Sequence, residues 1–225
     1  MRTLNLDDHK ETILRSLGAA HAKYYEKEKF GGPSLYFHIE SLKASRKRDF
    51  TRFVDCACAT LASWGMHRMG SGGSKMRDFD EFSSSIAAIW NLALELQERA
   101  PSQLSDQDWH LLEGIFKGIR CMRTGTSLVG NSKVLAHLLP ELVPPVDREY
   151  TLKFLYGSKQ ITNNIDAEWQ QLRIILQGFF YPLTRNESFL QRADVWLADN
   201  QRYKWDTSHL KIADNLIIGY ASGEL

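Results

Sequence analysis

The stretch Asp78-Phe79-Asp80-Glu81-Phe82-Ser83-Ser84-Ser85-Ile86-Ala87-Ala88-Ile89-Trp90-Asn91-Leu92-Ala93-Leu94 decides the fold class. Its apolar residues Phe82, Ile86, Ile89, Trp90, Ala93 and Leu94 recur at spacings of three and four, which places them on one face of an α-helix. Asp78 with Glu81 forms a capping pair at its start. The pattern runs to Arg99, and Pro101 stops it, because proline cannot donate to the helical ladder.

Outward from this helix the same period governs almost the whole chain. A first helix runs from about Asp7 to Lys29, with Ile13, Leu14, Leu17, His21 and Tyr24 inward. Gly31-Gly32-Pro33 breaks it, and Ser34 caps a second with Leu35, Ile39 and Leu42 on its core face. A third, about Asp49 to Met66, carries Phe50, Phe53, Val54, Ala57, Leu61 and Trp64, and ends in Gly70-Ser71-Gly72-Gly73-Ser74. Ser105 with Asp108 opens another, with Trp109, Leu112, Ile115, Phe116 and Ile119 inward. A short helix from about Ser132 to Leu139 precedes Pro140, and Asp147 caps one ending near Gly157. Further helices span about Asp166 to Phe180, Glu187 to Asp199 and Ser208 to Ile218. The expectation is an all-α protein of about ten helices, an orthogonal bundle forming one domain over 1–225, with room for two lobes around a cleft. No run alternates with period two for the length a strand needs.

Composition agrees. The 225 residues are 43% hydrophobic and 24% charged, which is globular rather than disordered. Three cysteines, an odd number, suit a reducing compartment. The opening Leu4-Asn5-Leu6-Asp7-Asp8 lacks the basic and apolar regions of a signal peptide, and no window reaches the roughly 18 apolar residues of a membrane span. A cytoplasmic location is the expectation.

The net charge of +1 conceals an asymmetry. Between Ser41 and Arg77 lie Lys43, Arg46, Lys47, Arg48, Arg52, Arg68, Lys75 and Arg77, against Asp49 and Asp55. That segment is about +6 and the remainder about −5, the balance of a chain that contacts a polyanion, unless the basic and acidic faces meet each other in the fold.

Two loops add candidate chemistry. The run Trp64-Gly65-Met66-His67-Arg68-Met69-Gly70-Ser71-Gly72-Gly73-Ser74-Lys75-Met76-Arg77 combines accessible backbone with cations, which suits a phosphate backbone, although no Gly-Lys-Ser/Thr makes it a Walker loop. Tyr36, Phe37 and His38, just inside a helix start, together with Trp64 and His67, are candidates to line a pocket for a flat ligand. Cys56 and Cys58 lack the partners a zinc site requires, so no metal or other cofactor is expected.

The most informative segment is Thr126-Ser127-Leu128-Val129-Gly130-Asn131-Ser132-Lys133, followed by Val143-Pro144-Pro145-Val146-Asp147-Arg148-Glu149-Tyr150. Backbone N–H groups at Gly130 and Asn131, at a helix N-terminus, could hold a phosphate. The prolines fix where Asp147 points, although Asp is also an ordinary N-cap. This segment, over 126–157, resembles the helix-hairpin-helix DNA glycosylase superfamily. Leu128-Val129-Gly130 is similar to the second half of the family's hairpin, and Pro145-Val146-Asp147 to the stretch that carries its catalytic aspartate.

The resemblance implies a two-lobed helical fold and DNA as partner. It also implies N-glycosidic cleavage at an extruded base if the protein is catalytic, with Asp147 as the carboxylate and Lys133 as an amine nucleophile. Arg46, Lys47, Arg48, Arg68, Lys75, Arg77, Gly130 and Asn131 would then contact nucleic acid. Two other readings stand beside it. One is a non-enzymatic helical interaction protein, such as a stress or defence component; the other is an enzyme acting on a small phosphorylated molecule.

Overall fold

The computed structural model describes residues 5–28, 31–67, 69–70, 73–123 and 125–223. The protein is all-helical. Its helices are α1 (Leu6–Lys27), α2 (Pro33–Arg46), α3 (Phe50–Ser63), α4 (Phe79–Leu96), α5 (Asp106–Gly118), α6 (Leu128–Leu138), α7 (Lys153–Tyr156), α8 (Ile165–Ile175), α9 (Tyr181–Thr184), α10 (Glu187–Ala198) and α11 (His209–Gly223). Two π-helical turns, Arg148–Leu152 and Leu176–Phe180, lead into α7 and α9. Two-residue strands β1 (Met69–Gly70) and β2 (Gly73–Ser74) pair antiparallel between α3 and α4. Among the described residues, no helix is long and apolar enough to cross a membrane.

Capping shows why the boundaries fall where they do. Asp49 accepts from the Arg52 amide at the start of α3, and Ser105 and Asp108 form the reciprocal box at the start of α5. Asn164 accepts from the amides of Asp166 and Ala167 before α8, and Asn186 from those of Ser188 and Phe189 before α10. Two expected caps are replaced. Asp78 makes no cap bond and instead pairs with Arg123 at 2.8 Å. Pro33 takes the first position of α2, so Ser34 lies inside the helix, buried, and accepts from the Ser63 hydroxyl.

The chain divides into two compact units: Met1–Lys29, Pro144–Gln160 and Gln171–Leu225 form the first, and Phe30–Val143 with Ile161–Gln170 the second. In the first unit α1 packs along α11 so closely that a Cβ on Gly219 would sit 1.9 Å from the Ala20 carbonyl oxygen. Only glycine admits that approach. Around the contact, Ile13, Phe179, Phe180, Phe189, Ala213 and Ile217 are fully buried.

The second unit is built on α2 against α3 and α4 against α5, with Phe53, Leu61, Phe82, Ile86, Leu112 and Phe116 fully buried. Trp169 fills its centre, 5.6 Å from the Phe116 ring. The residues after the hairpin pair with the approach to α6: the Arg77 amide donates to Cys121 O, and the Arg123 amide to Lys75 O. A short ladder therefore ties the basic hairpin to the helix that carries Lys133.

The end of α2 is a Schellman cap. The Asp49 amide donates to Ala44 O and the Arg48 amide to Ser45 O, with Arg48 at φ 58°. Glycine is the usual occupant of that left-handed position; here it is an arginine.

Gly219→Ala is expected to destabilise the first unit by roughly 3 kcal/mol, since the methyl has no space without separating α1 from α11. Urea unfolding monitored by circular dichroism measures it. An unchanged midpoint would mean the two helices are not held at this distance in solution.

Candidate functional site

Helix α6 begins a full turn earlier than the sequence predicts, and the reason is electrostatic. The buried Glu168 carboxylate accepts the Leu128 amide at 2.5 Å, so a side-chain acceptor from α8 sits at the helix N-terminus. Gly130 and Asn131 consequently lie inside the helix and are buried. The Asn131 amide donates to Ser127 O, and its side-chain Nδ2 donates to Phe116 O and Ile119 O at the end of α5. A Cβ on Gly130 would come within 3.2 Å of Cys121 Sγ. The glycine serves a close helix contact, and the open phosphate-binding turn expected at Gly130 and Asn131 is closed by the protein's own Glu168.

Seated this way, α6 turns Lys133 and His137 inward, where they meet α2 and the end of α3. Lys133 is 8% exposed, and its Nζ stands 5.5 Å from the centre of the Trp64 ring. His38 and His137 are buried and joined Nδ1 to Nε2 at 2.8 Å. His137 Nδ1 lies 2.7 Å from Lys133 O, and a carbonyl can only accept, so that nitrogen donates. With His137 neutral, its Nε2 accepts and His38 Nδ1 donates. Two facing nitrogens share one proton, so the joined pair carries at most one positive charge. Trp64 packs 5.7 Å from His38 and 5.3 Å from His137, making an aromatic wall. The arrangement is a directional hydrogen-bond chain, from His38 through His137 to the Lys133 carbonyl, packed against Trp64.

The sequence named three of these four residues: Lys133, His38 and Trp64. Other residues proposed for the pocket lie elsewhere. Tyr36 is 53% exposed, and its hydroxyl accepts from Arg52 Nη2; Phe37 is half-buried, edge-on to Tyr36. His67 is exposed and hydrogen-bonded to Ser74 in the hairpin at 3.0 Å. His137 was missed. Its signal was its position one turn after Lys133, which puts both on one face of a helix.

The proposed phosphate contacts divide by their partners. Arg46, Lys47 and Arg48 are consecutive and exposed, and among the described residues none of the three makes an ion pair. Lys75 is likewise exposed. Arg77 is committed to Glu81 at 2.9 Å and to Met122 O at 3.2 Å. Arg68 lies outside the described residues.

In the first unit Asp147 precedes the π turn Arg148–Leu152. Its Oδ1 accepts the Glu149 amide at 2.7 Å, and its own amide donates to Thr151 Oγ1. Half-buried, it sits at a helix irregularity of the kind often found at functional sites. The same unit contains a polar network that sequence reasoning overlooked. His21 meets Asp206 at 2.7 Å with both side chains buried, and stacks on Trp196 at 3.8 Å. Asn215 donates to Asp206, while Lys211 donates to Asp214 at 2.7 Å and also to Asn215. Burial and the nearby Asp214 carboxylate push the Tyr24 hydroxyl well above its ordinary pKa. The signal in the sequence was Lys211, Asp214 and Asn215 at helical spacing within an otherwise apolar run.

The thiols are held protonated. Burial raises the pKa of Cys56 and Cys58, and pushes Cys121 up to about 12. Among the described residues no group of three or more His, Cys, Asp or Glu is placed to hold a metal ion. The chain matches no protein-family model, and comparison with curated proteins and with solved structures gives no significant match.

His137→Leu is expected to cost about 2 kcal/mol, because it strands the buried His38 donor as well as removing a bond. The double variant His38→Leu/His137→Leu should lose less than the two single losses added together, giving a coupling of about 1 kcal/mol in a denaturation cycle. Strict additivity would mean the two rings are not joined.

Proposed function

We propose that the chain is a nucleic-acid-binding protein built along the lines of a helix-hairpin-helix DNA glycosylase, gripping the phosphate backbone through Arg46, Lys47, Arg48 and Lys75. The observation that carries this reading is the run Arg46-Lys47-Arg48: three consecutive, exposed cations with no ion pair among the described residues. Their neighbours differ, since Lys43 and Arg52 are both spent on Glu40. Charges left without a carboxylate remain available to release counterions from a polyanion.

If the protein acts on what it binds, cleavage of the N-glycosidic bond at an extruded base is the chemistry. Asp147 would stabilise the positive charge that develops at the sugar. Its support is the stiff Pro144-Pro145 approach and the π turn that follows. Lys133 contributes to such chemistry only if the base reaches the buried amine beside the Trp64 ring.

One observation favours a second reading, a non-enzymatic helical interaction protein. The α6 N-terminus is occupied by Glu168, and Asp147 holds its own helix start. Both are stabilising arrangements that need no ligand.

Fluorescence anisotropy with a random duplex separates the two. Four phosphate contacts predict a slope of log K against log salt of roughly −3 to −4, and Arg46→Gln/Lys47→Gln/Arg48→Gln should reduce it to about −1. Undetectable binding at about 50 mM salt would remove the nucleic-acid reading. Catalysis has its own measurement: duplexes carrying single damaged bases should yield abasic sites, and Asp147→Asn should abolish the yield with helical content unchanged. Equal activity in that variant would remove Asp147 from the mechanism.

A further inference from the structure

In the first unit the loop between α10 and α11, residues 199–208, is fastened to its neighbours by buried polar bonds. His21 Nε2 on α1 lies 2.7 Å from Asp206 Oδ2, and the Trp205 amide donates to Tyr25 Oη at 3.2 Å. From α11, Asn215 Nδ2 donates to Trp205 O and to Asp206 Oδ1. Trp205 and Asp206 are buried, whereas Arg202 and Lys204 close by are exposed. The loop is thus held by its two inward residues.

The charges around His21 can be counted element by element. On the loop, Asp206 touches the ring, Tyr203 stands edge-on at 4.7 Å, and Arg202 lies over Tyr203 at 5.1 Å. On α11, Lys211 is committed to Asp214 at 2.7 Å and to Asn215, and it is the neutral Asn215 that touches Asp206. On α10, Trp196 stacks flat on the ring at 3.8 Å, and the exposed Arg192 lies one turn away beside Gly18. On α1 itself, Tyr25 packs 5.0 Å from the ring; burial, and then the Asp206 charge, push its hydroxyl above the ordinary pKa, so it stays neutral. Burial and the Asp214 carboxylate do the same to Tyr24.

With Lys211 and Asp214 cancelling each other, the Asp206 carboxylate is left to His21. A neutral imidazole would leave one buried anion uncompensated. A doubly protonated imidazole balances it through a charge-assisted bond and lies as a cation on the indole face. Arg192 and Arg202 are exposed, so solvent screens their opposing charge. We propose that the His21–Asp206 contact is a proton-operated latch on the 199–208 loop, closed when the imidazole carries both protons and slack when it carries one. Only the folded chain sets Asp206 against the ring, so the latch is tightest on the acid side of the histidine range and loosens as pH rises through it. The inference goes beyond the proposed backbone grip and does not require it.

Hydrogen exchange of the full chain from about pH 5.5 to about pH 8.5, corrected for the intrinsic chemical rate, tests it. Protection of the Trp205 and Asp206 amides is expected to fall about tenfold across that range, relative to the amides of α4. His21→Gln, whose amide can donate to Asp206 without titrating, should show no such fall. Side-chain NMR of the unaltered chain supplies a measurement that needs no variant to fold. There His21 should keep both protons to a higher pH than His110, whose side chain is 80% exposed. Level protection of the loop in the wild type, a fall of the same size in His21→Gln, or a second proton lost from His21 no later than from His110 would overturn the proposal.

Discussion

The bond from the Leu128 amide to the buried Glu168 carboxylate fixes the geometry around α6 in the second unit. It sets the residue at which α6 begins, and a helix begun one residue earlier or later turns every side chain by about 100°. With this start, Lys133 and His137 face the Trp64 ring and Gly130 lies under Cys121. Asn131 reinforces the setting by holding two carbonyls at the end of α5. A carboxylate paired this way gains from the helix dipole and from a charge-assisted hydrogen bond. The same position cannot also hold a substrate phosphate. The anion-binding property of the helix N-terminus is thus consumed within the fold.

Arg46, Lys47 and Arg48 stand at a helix terminus with no ion pair among the described residues, which has its own logic. The C-terminal end of α2 carries partial negative charge, so Arg46, Lys47 and Arg48 are tolerated together there with no carboxylate between them. Had they been placed along a helix flank at spacings of three or four, glutamates on the same flank would pair with them, as Glu40 does with Lys43 and Arg52. Placement at the terminus keeps the charge available.

Most of the architecture was legible because it rests on periodicity, which is local. The helix faces headed by Phe82, Ile86 and Ile89, or by Trp109, Leu112 and Phe116, are the buried faces observed. Boundaries failed where a distant residue decided them. Nothing near Ser127 announces that Glu168, forty residues on, will cap α6, and nothing near Asp78 announces Arg123. The β1–β2 hairpin escaped notice because two-residue strands have no period to detect. At the candidate site, Lys133, His38 and Trp64 are named by their chemistry in the sequence, whereas only the spacing from Lys133 marks His137. The His21–Asp206 pair was invisible for a deeper reason: its members are separated by almost the whole chain and meet only where α1 and α11 pack.

That pair and its neighbours bear on what kind of protein this is. Burying His21, Asp206, Lys211 and Asp214 together costs desolvation that well-packed hydrophobic residues would not incur, so the network is a poor device for stability alone. Each member is nevertheless satisfied: Asp206 takes both His21 and Asn215, and Lys211 takes both Asp214 and Asn215. A fully satisfied polar core specifies one arrangement of its helices, because a shifted register strands a buried charge. The contact at Gly219 enforces the same register sterically, with no room for any larger residue. Within the first unit, then, α1 and α11 are held in a single alignment twice over, once by charge and once by volume. The consequence reaches the π turn before α7, which packs on α11 and follows Asp147. The α1–α11 pairing therefore gives the turn that Asp147 caps a support that does not slide.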